Sequence, residues 1–276
     1  MVERRTLDFT REYPDLAWSG EAGALTVIIA MWSGPRNIST AMMRSWDARG
    51  DTRVVDEPLY AHYLKATGLT HPGAQEVIEH GETDLGAVIE DLASPRSADS
   101  AVVYQKHMAH HVLPGMDLSW ANGIRNAMLI RDPREMLTSL LAVLPNADLQ
   151  ATGLPAQIGL LDRLGGAPVI DSRDVLENPR GMLMALCAAL DVPFTERMLA
   201  WRAGPRKTDG VWAKHWYASV NASTGFAEYK PKPVEIARRH TPLLRECEVL
   251  YHRLSEHKIN CADTAAPEVD GLAAEA

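Results

Sequence analysis

The chain has 276 residues, of which 46% are hydrophobic and 23% are charged, so it can bury a sizeable core and is neither low-complexity nor disordered throughout. It carries 36 acidic and 28 basic residues and a net charge of −8. This acidic balance argues against a nucleic-acid partner, because non-specific binding to phosphate backbones needs a basic surface.

No apolar run reaches the length of about 18 residues that a membrane span needs. The segment Met1 to Asp15 has mixed charge and lacks the apolar stretch of a secretory signal. Cys187, Cys247 and Cys261 are widely spaced and fit neither a disulfide framework nor a zinc site. We therefore expect a cytoplasmic protein without a membrane partner.

Short apolar runs separated by helical stretches predict an α/β fold, because parallel strands covered on both faces are apolar throughout. The predicted strands are Leu25–Met31, Thr52–Asp56, Ala101–Gln105, Asn126–Ile130 and Pro168–Asp171. The predicted helices are Ser39–Arg49, Glu76–Leu92, Pro133–Leu144 and one that Asn178-Pro179 opens and that runs to Leu190. The pattern predicts a mainly parallel central sheet of about five strands flanked by helices.

The alternation stops beyond residue 200. Trp201 to Phe226 is typical of a long ordered loop, and Val234 to Lys258 predicts a helix that is interrupted or begins late near Pro242. Residues 263–276 are rich in Ala and acidic residues and predict a disordered tail. We expect one α/β domain over residues 1–262.

Polar side chains follow four of the predicted strands. Parallel sheets bind ligands at the carboxyl ends of their strands, so these side chains are expected to meet at one edge. They are Arg36, Ser39 and Thr40 after the first strand, Glu57 after the second, Lys106 and His107 after the third, and Arg131 after the fourth.

The first of these loops predicts an anion site. The chain turns at Gly34-Pro35 and opens a helix near Ser39, and the N–H groups and dipole at a helix N-terminus favour an anion. The loop lacks the Gly-Lys pair of the Walker A pattern. The alternative is a polar turn in which Ser39 caps the helix.

The fourth loop adds a second anion-binding pair. Ser139 follows Arg131 by eight residues, so both can reach one anion if a helix begins at Pro133. Alternatively, Arg131 pairs with Asp132 or Glu135 on the surface.

With these loops in place, the sequence resembles the sulfotransferases that use 3′-phosphoadenosine-5′-phosphosulfate. Residues 35–40, Pro-Arg-Asn-Ile-Ser-Thr, resemble the family's 5′-phosphosulfate loop, and Arg131-Asp132-Pro133-Arg134 with Ser139 resembles its 3′-phosphate motif. Residues 174–194 and 210–215 are similar to two later family segments. The resemblance covers roughly residues 25–226 and implies a fold like that of P-loop proteins.

The resemblance also implies which residues hold the nucleotide. Arg36, Asn37, Ile38, Ser39 and Thr40 correspond to the 5′ end, and Arg131 and Ser139 to the 3′-phosphate. Arg206 and Lys207 stand for a basic pair that precedes the segment 210–215, although they are displaced from the family position. Ile38 replaces the family's loop glycine, so a positive φ at this position is costly.

Sulfuryl transfer needs cations around the transferred group and a base for the acceptor. Arg36, Ser39, Thr40 and Lys106 are candidates for the first task. Glu57 and His107 qualify by position as the base, and family members use either a His after the third strand or an early Glu. We favour Glu57, with His107 as partner or alternative. A simple turn at Asp56-Glu57-Pro58 is the competing interpretation of that site.

The predicted function is sulfuryl transfer from 3′-phosphoadenosine-5′-phosphosulfate to a hydroxyl or amine of a small metabolite, without a metal. His107 and His110 have a spacing that could suggest a metal, but no third ligand is assigned. Two alternatives remain: a kinase-like phosphotransferase that uses ATP, and a non-catalytic nucleotide-binding protein.

Overall fold

The computed structural model describes residues 26–93, 100–231, 234 and 236–261. Within them, five parallel strands form one sheet in the order β2-β3-β1-β4-β5, which confirms the predicted fold class. The strands are β1 (Val27–Ser33), β2 (Thr52–Asp56), β3 (Val102–Met108), β4 (Arg125–Ile130) and β5 (Val169–Asp171).

Helices flank the sheet on both faces. The α-helices of the described residues are α1 (Ser39–Asp47), α2 (Tyr60–Thr67), α3 (Ala74–His80), α4 (Leu85–Ala93), α5 (Pro133–Leu141), α6 (Leu154–Arg163), α7 (Ser172–Glu177), α8 (Pro179–Ala189), α9 (Ala213–Trp216), α10 (Ala218–Asn221) and α11 (Thr241–Ser255). None of them is both long enough and apolar enough to span a bilayer. Two single-turn helices, α9 and α10, interrupt the predicted loop from Trp201 to Phe226.

The two faces of the sheet have separate cores because successive side chains of a strand point to opposite sides. Ile29 and Met31 of β1 pack with α1 and α8 on one face. Ala30 and Trp32 pack with α4, α5, α6 and α11 on the other. Any two neighbouring residues of a central strand therefore lie in different layers.

Strand β3 extends three residues beyond its predicted end. It pairs with both β2 and β1, and all seven of its residues are buried. Lys106 and His107 therefore lie within the strand rather than after it, and their side chains point to opposite faces of the sheet. The polar residues at 105–107 concealed this continuation, because an apolar run is the signal for a buried strand.

The predicted helix Glu76–Leu92 is two helices, α3 and α4. Gly81 ends the first where it contacts α2, and a Cβ on Gly81 would lie 2.5 Å from the Cβ of Ala61. The Glu82 carboxylate accepts from the backbone N–H groups of Thr83 and Asp84, which turns the chain. Asp84 then caps α4 by accepting from Ala87 N.

The segment that follows α11 extends the sheet at its β5 edge. Val169 N donates to His257 O at 3.1 Å, and Ile259 N donates to Val169 O at 3.0 Å. Helix α11 begins at Thr241 with Pro242 in its first turn, in agreement with the predicted late start. The predictions for Met1 to Asp15 and for the 263–276 tail lie outside the described residues.

Candidate active site

The loop between β1 and α1 presents free backbone donors at the carboxyl edge of the sheet. The first backbone bond of α1 is from Met42 N to Ile38 O, and no side chain caps the helix. The N–H groups of Ser39 and Thr40 therefore have no partner among the described residues. Ser39 is the first residue of α1 and does not serve as its N-cap, so the capped turn of the alternative interpretation is not what the structure shows, and the free N–H groups are available to an anion.

The left-handed residue of this loop is Arg36, with φ of 60°. Ile38 has φ of −81°, so it replaces the family glycine without backbone strain. A non-glycine residue with positive φ costs free energy and persists only where its surroundings hold it. Here the carbonyl of Arg36 accepts from Arg131 Nη1 at 2.8 Å, which fixes the loop to the end of β4.

Three of the side chains predicted to bind the nucleotide, those of Arg36, Arg131 and Ser139, lie at this loop. Arg36 Nε donates to the Ser139 hydroxyl at 2.9 Å. Arg131 donates from Nε and Nη2 to one oxygen of Glu135, at 3.1 and 3.0 Å. The pairing of Arg131 with Glu135 that the alternative interpretation predicted is thus present in the structure, and the sharing of one anion by Arg131 and Ser139 stays a prediction.

Asn37 points inward rather than toward a ligand. Its Nδ2 donates to Leu129 O at 2.9 Å, and its buried Oδ1 has no partner among the described residues. Its side chain therefore anchors the loop to β4.

Two glycines bring the start of α6 against this loop. A Cβ on Gly34 would lie 2.5 Å from Thr152 O, and a Cβ on Gly153 would lie 2.9 Å from the Cα of Gly34. The same Cβ of Gly153 would be 3.6 Å from Nδ1 of His110. This close backbone contact leaves no room for a side chain and places His110 beside the loop.

A second polar group, which we call the carboxylate–lysine cluster, consists of Asp56, Glu57, Lys106 and Tyr217. The Lys106 ammonium donates to Asp56 Oδ1 at 2.9 Å, to Tyr217 Oη at 2.9 Å and to Glu57 Oε1. All three N–H donors of Lys106 are thus used within the cluster. The sequence predicted that Lys106 faces an incoming sulfuryl group, but the structure leaves it no donor for that group. The Tyr217 hydroxyl in turn lies 2.8 Å from both oxygens of Asp56 and donates to that carboxylate.

Burial and charge set the protonation of this cluster. Burial raises the pKa of Glu57, Lys106 opposes the rise and Asp56 adds to it. Burial acts to lower the pKa of Lys106, but the two carboxylates and Tyr217 outweigh it and raise that pKa well above its usual range. The side chain of Glu57 is 11% exposed, and its Oε2 has no hydrogen-bond partner among the described residues. Glu57 is therefore a carboxylate with increased basicity and one free oxygen.

His107 lies on the other face of the sheet from Lys106. It is 1% exposed, its ring stacks on Trp32 at 4.3 Å, and its Nε2 lies 3.1 Å from Gln105 Oε1. Burial, with Lys106 nearby, lowers the pKa of His107 to about 3. The structure does not bring His107 to the side of the sheet that carries Glu57.

Neutral aromatic side chains cover the region beside Glu57. His111 is stacked between Tyr60 and Tyr63, with ring centroids 4.7 Å apart in each case, and His110 packs edge-on against Tyr63 at 5.6 Å. Burial lowers the pKa of His110 to about 4 and that of His111 well below its usual range. We call these four residues the aromatic wall; it is uncharged at neutral pH.

The basic pair Arg206 and Lys207 lies away from residues 34–40, which we call the anion loop because they are predicted to bind an anion. Arg206 contacts Asp47 at the last residue of α1, with Nε 3.4 Å from Oδ2, and its other donors are taken by the carbonyls of Gly204 and Arg202. Lys207 is exposed. The structure therefore does not bring either residue to the N-terminus of α1.

The segment 204–217, which we call the late loop, nevertheless reaches the site through residues that include Gly210 and Trp212 of the predicted 210–215 segment. Arg44 of α1 and Asp209 form a buried bidentate ion pair at 2.6 and 2.8 Å. Gly210 N donates to Asp56 Oδ2 at 3.1 Å, and Trp212 Nε1 donates to Tyr217 Oη at 3.2 Å. The loop is thus fastened both to α1 and to the carboxylate–lysine cluster.

The sequence interpretation missed Asp56 and Tyr217 as site residues. Asp56 ends an apolar strand next to Glu57, which is a usable signal for a paired carboxylate. Tyr217 lies 161 residues from Asp56, and no local pattern indicates that contact. Among the described residues, no group of three His, Cys, Asp or Glu side chains has metal-binding geometry.

Comparisons with known proteins identify the family. The model of the sulfotransferase domain family matches residues 27–256, and the chain therefore belongs to that family. A solved sulfotransferase from Alicyclobacillus acidocaldarius shares the fold with a TM-score of 0.50 at 12% identity, over 86% of this chain and 98% of that one.

Two curated relatives come from Arabidopsis thaliana. They are branched-chain-amino-acid aminotransferase-like proteins 1 and 2, which are 38% and 33% identical to this chain over 234 residues. Each alignment covers 83% of this chain, but the chain spans only 42% of the length of either relative.

Proposed function

We propose that this chain transfers a sulfuryl group from 3′-phosphoadenosine-5′-phosphosulfate to a hydroxyl group of a small metabolite. The observation that carries the proposal is the convergence of Arg36, Arg131 and Ser139 on a helix N-terminus whose N–H groups are free. Membership of the sulfotransferase family supports the reaction class. The donor supplies an activated sulfuryl group when bound.

The residues around the loop fit the donor nucleotide. The N–H groups and hydroxyls of Ser39 and Thr40, with the Arg36 guanidinium, would hold the 5′-phosphosulfate end. Arg131 and Ser139 would hold the 3′-phosphate, with Arg131 keeping its Nη1 bond to Arg36 O. Asn37 and Ile38 would shape the loop through backbone and packing contacts.

Glu57 is the proposed base. The proton of the acceptor hydroxyl would pass to Glu57 Oε2 as the acceptor oxygen forms its bond to sulfur and the bond between sulfur and the donor phosphate oxygen breaks. The raised pKa of Glu57 suits this role, because a base is most effective when its pKa is close to the working pH. His107 is buried on the opposite face, which supports Glu57 over it.

The aromatic wall supports an uncharged acceptor. Tyr60, Tyr63, His110 and His111 pack against one another and form an apolar surrounding without net charge. A carboxylate would lose its hydration there without gaining a partner of opposite charge, and a cationic amine would pair with Glu57 but has no lone pair with which to attack the sulfur. A neutral alcohol or phenol is therefore the proposed acceptor within the wider class of hydroxyls and amines, and a cytoplasmic location remains part of the proposal.

The experiment that tests the nucleotide assignment is titration calorimetry with 3′-phosphoadenosine-5′-phosphate, adenosine-5′-phosphosulfate and ATP. Arg131→Ala should weaken binding of the 3′-phosphorylated nucleotide by at least about tenfold, because a hydrogen bond to a charged group contributes about 1.5–3 kcal/mol. Binding of adenosine-5′-phosphosulfate, which has no 3′-phosphate, should change much less.

Arg134→Ala is the matched control, because Arg134 is an exposed arginine three residues further along the chain that pairs with Glu248. It should leave all three affinities unchanged. If Arg131→Ala weakened the binding of 3′-phosphoadenosine-5′-phosphate and of adenosine-5′-phosphosulfate equally, Arg131 would support the structure of the loop and would not bind the 3′-phosphate. Tighter binding of ATP than of the 3′-phosphorylated nucleotide by the wild type would favour the kinase alternative.

A further inference from the structure

Asp56 is buried, and the function proposed above gives it no role in binding the nucleotide or the acceptor. Asp56 is the last residue of β2, 8% exposed, and it accepts hydrogen bonds from Lys106, Tyr217 and Gly210 N. These three donors satisfy the buried carboxylate, and one of them, Lys106, also donates to Glu57. It therefore competes with Glu57 for the same lysine.

This competition determines how strongly the positive charge of Lys106 stabilises the ionised form of Glu57. The ammonium contacts both carboxylates at once, so each receives only part of its field. The group carries two negative charges and one positive charge in a volume that is nearly closed to water. Removing the charge of Asp56 would leave Lys106 with Glu57 as its single carboxylate partner.

Tyr217 adjusts the same balance from the late loop. Its hydroxyl donates to Asp56 and accepts from Lys106 and from Trp212 Nε1. By donating to Asp56 it weakens the hold of that carboxylate on the ammonium. Because the loop is also fastened at Arg44 and Asp209, Tyr217 is held at a fixed position over the cluster.

We propose that Asp56 and Tyr217 are positioning residues that set the basicity of Glu57 through Lys106, so that the late loop and the catalytic carboxylate form one unit. The proposal rests on the role of Glu57 as the base in the proposed function. Neither residue touches the acceptor or the nucleotide in this scheme. Their effect is exerted through the partition of one ammonium between two carboxylates.

The charged and titratable groups that act on Glu57, or on its neighbours Lys106 and Tyr217, come from several elements, and the effect of Asp56 must be separated from theirs. They are Arg44 on α1, Asp56 at the end of β2, Tyr60 on α2, Tyr104 and Lys106 on β3, His111 after β3, and Tyr217 between α9 and α10. Asp56 is the one carboxylate of this set that shares a donor with Glu57.

The test is a ¹³C NMR titration of the carboxyl groups of the full chain, with the Glu57 resonance assigned by its loss in Glu57→Gln. Asp56→Asn keeps the shape of the side chain and removes its charge. The proton affinity of Glu57 should then fall by about tenfold or more, because the whole field of Lys106 acts on it and the repulsion from Asp56 is gone. Tyr217→Phe should shift it in the opposite sense and by less, because Asp56 would hold the ammonium more strongly.

Asp51→Asn is the control. Asp51 precedes β2 at its other end, roughly 20 Å of extended chain from Glu57, so this charge change should not move the Glu57 resonance. An unchanged proton affinity in Asp56→Asn, a shift of equal size in Asp51→Asn, or shifts of the same sign in Asp56→Asn and Tyr217→Phe would overturn the proposal. The Tyr217→Phe arm remains informative if Asp56→Asn does not fold.

The titration needs no turnover, so it is independent of the proposed reaction. If Glu57→Gln left sulfuryl transfer unchanged, the base assignment would fail while the titration still reported the coupling. If the titration shifted as expected and the enzyme were active, the acid limb of the pH profile of kcat/KM should move to lower pH in Asp56→Asn. A purely structural role of Asp56 would lower the rate without that displacement.

Discussion

The anion loop and the carboxylate–lysine cluster lie at the same edge of the sheet but are built in opposite ways. The loop is half-exposed, and its backbone donors at Ser39 and Thr40 are left without partners. The cluster is nearly closed to water, and all three N–H donors of Lys106 form hydrogen bonds with neighbouring side chains. The loop therefore keeps free hydrogen-bond donors, whereas the polar groups of the cluster form their hydrogen bonds with one another.

The contrast explains how the two regions would divide the work of sulfuryl transfer. A binding loop must offer free donors, because the anion completes its hydrogen bonds. A catalytic carboxylate needs a defined basicity, which requires fixed neighbours and little water. Substitutions in the loop should therefore change mainly affinity, and substitutions in the cluster should change mainly rate.

The largest effect is expected at Glu57. Glu57→Gln should lower kcat by about 10²–10⁴-fold, the usual contribution of a general base, and leave binding of 3′-phosphoadenosine-5′-phosphate nearly unchanged. Single-turnover transfer of labelled sulfate to a panel of alcohols and phenols measures the rate, and calorimetry measures the affinity. His107→Gln, the matched substitution on the other face of the sheet, should slow transfer no more than a few-fold. A larger loss in His107→Gln than in Glu57→Gln would reverse the assignment of the base.

The next effect in size belongs to the loop. Ser139→Ala removes the hydroxyl that accepts from Arg36 and should weaken binding of 3′-phosphoadenosine-5′-phosphate by about tenfold, with little change in kcat at saturating nucleotide. Thr138→Ala is the control, because the neighbouring hydroxyl bonds to Arg134 O within α5. Similar losses in both variants would show that α5, rather than its serine, supports the loop.

The last prediction concerns stability rather than activity and tests the burial of His107. Its folded pKa of about 3 lies below the ordinary value of 6.5, so the unfolded chain binds the proton first as the pH falls. The stabilising contribution is therefore complete above about pH 6.5 and declines from there toward pH 3, at up to about 1.4 kcal/mol per pH unit.

Urea unfolding at several pH values measures this slope. His107→Gln should give a shallower decline of the unfolding free energy than the wild type over that range. His252→Gln, at an exposed histidine of α11, should retain the wild-type slope. Equal slopes in the wild type and His107→Gln would mean that the ring reaches water in the native state.

The sequence predicted the parts of this molecule that depend on local patterns. Apolar runs located all five strands, and the loop at residues 34–40 and the pair Arg131 and Ser139 were singled out by their positions after strands and by the resemblance to the family. Their joint role in binding a nucleotide stays a prediction. Strand β3 was underestimated because its polar end is buried by neighbours on both sides, which no short pattern encodes. The backbone strain at Arg36, rather than Ile38, depends in the same way on a contact with Arg131.

The composition of the cluster could not be predicted for a related reason. Tyr217 and Gly210 reach Asp56 only because the late loop crosses over α1, and the ion pair of Arg44 and Asp209 joins residues 165 positions apart. The resemblance to the family pointed to Arg206 and Lys207 in that loop. Both are basic in sequence, but the contacts of Arg206 with Asp47 and backbone carbonyls direct it elsewhere.

The pairing of residues 257–259 with β5 has a consequence for handling the protein. A sheet edge with unpaired backbone groups is a template for intermolecular association, and a short segment laid along it blocks that route. Here Ile259 N and His257 O form hydrogen bonds with the backbone groups of Val169 that would otherwise be unpaired. A version of the chain that ends at Ser255 would retain α11 yet expose this edge, and we expect it to aggregate on concentration before its fold is lost.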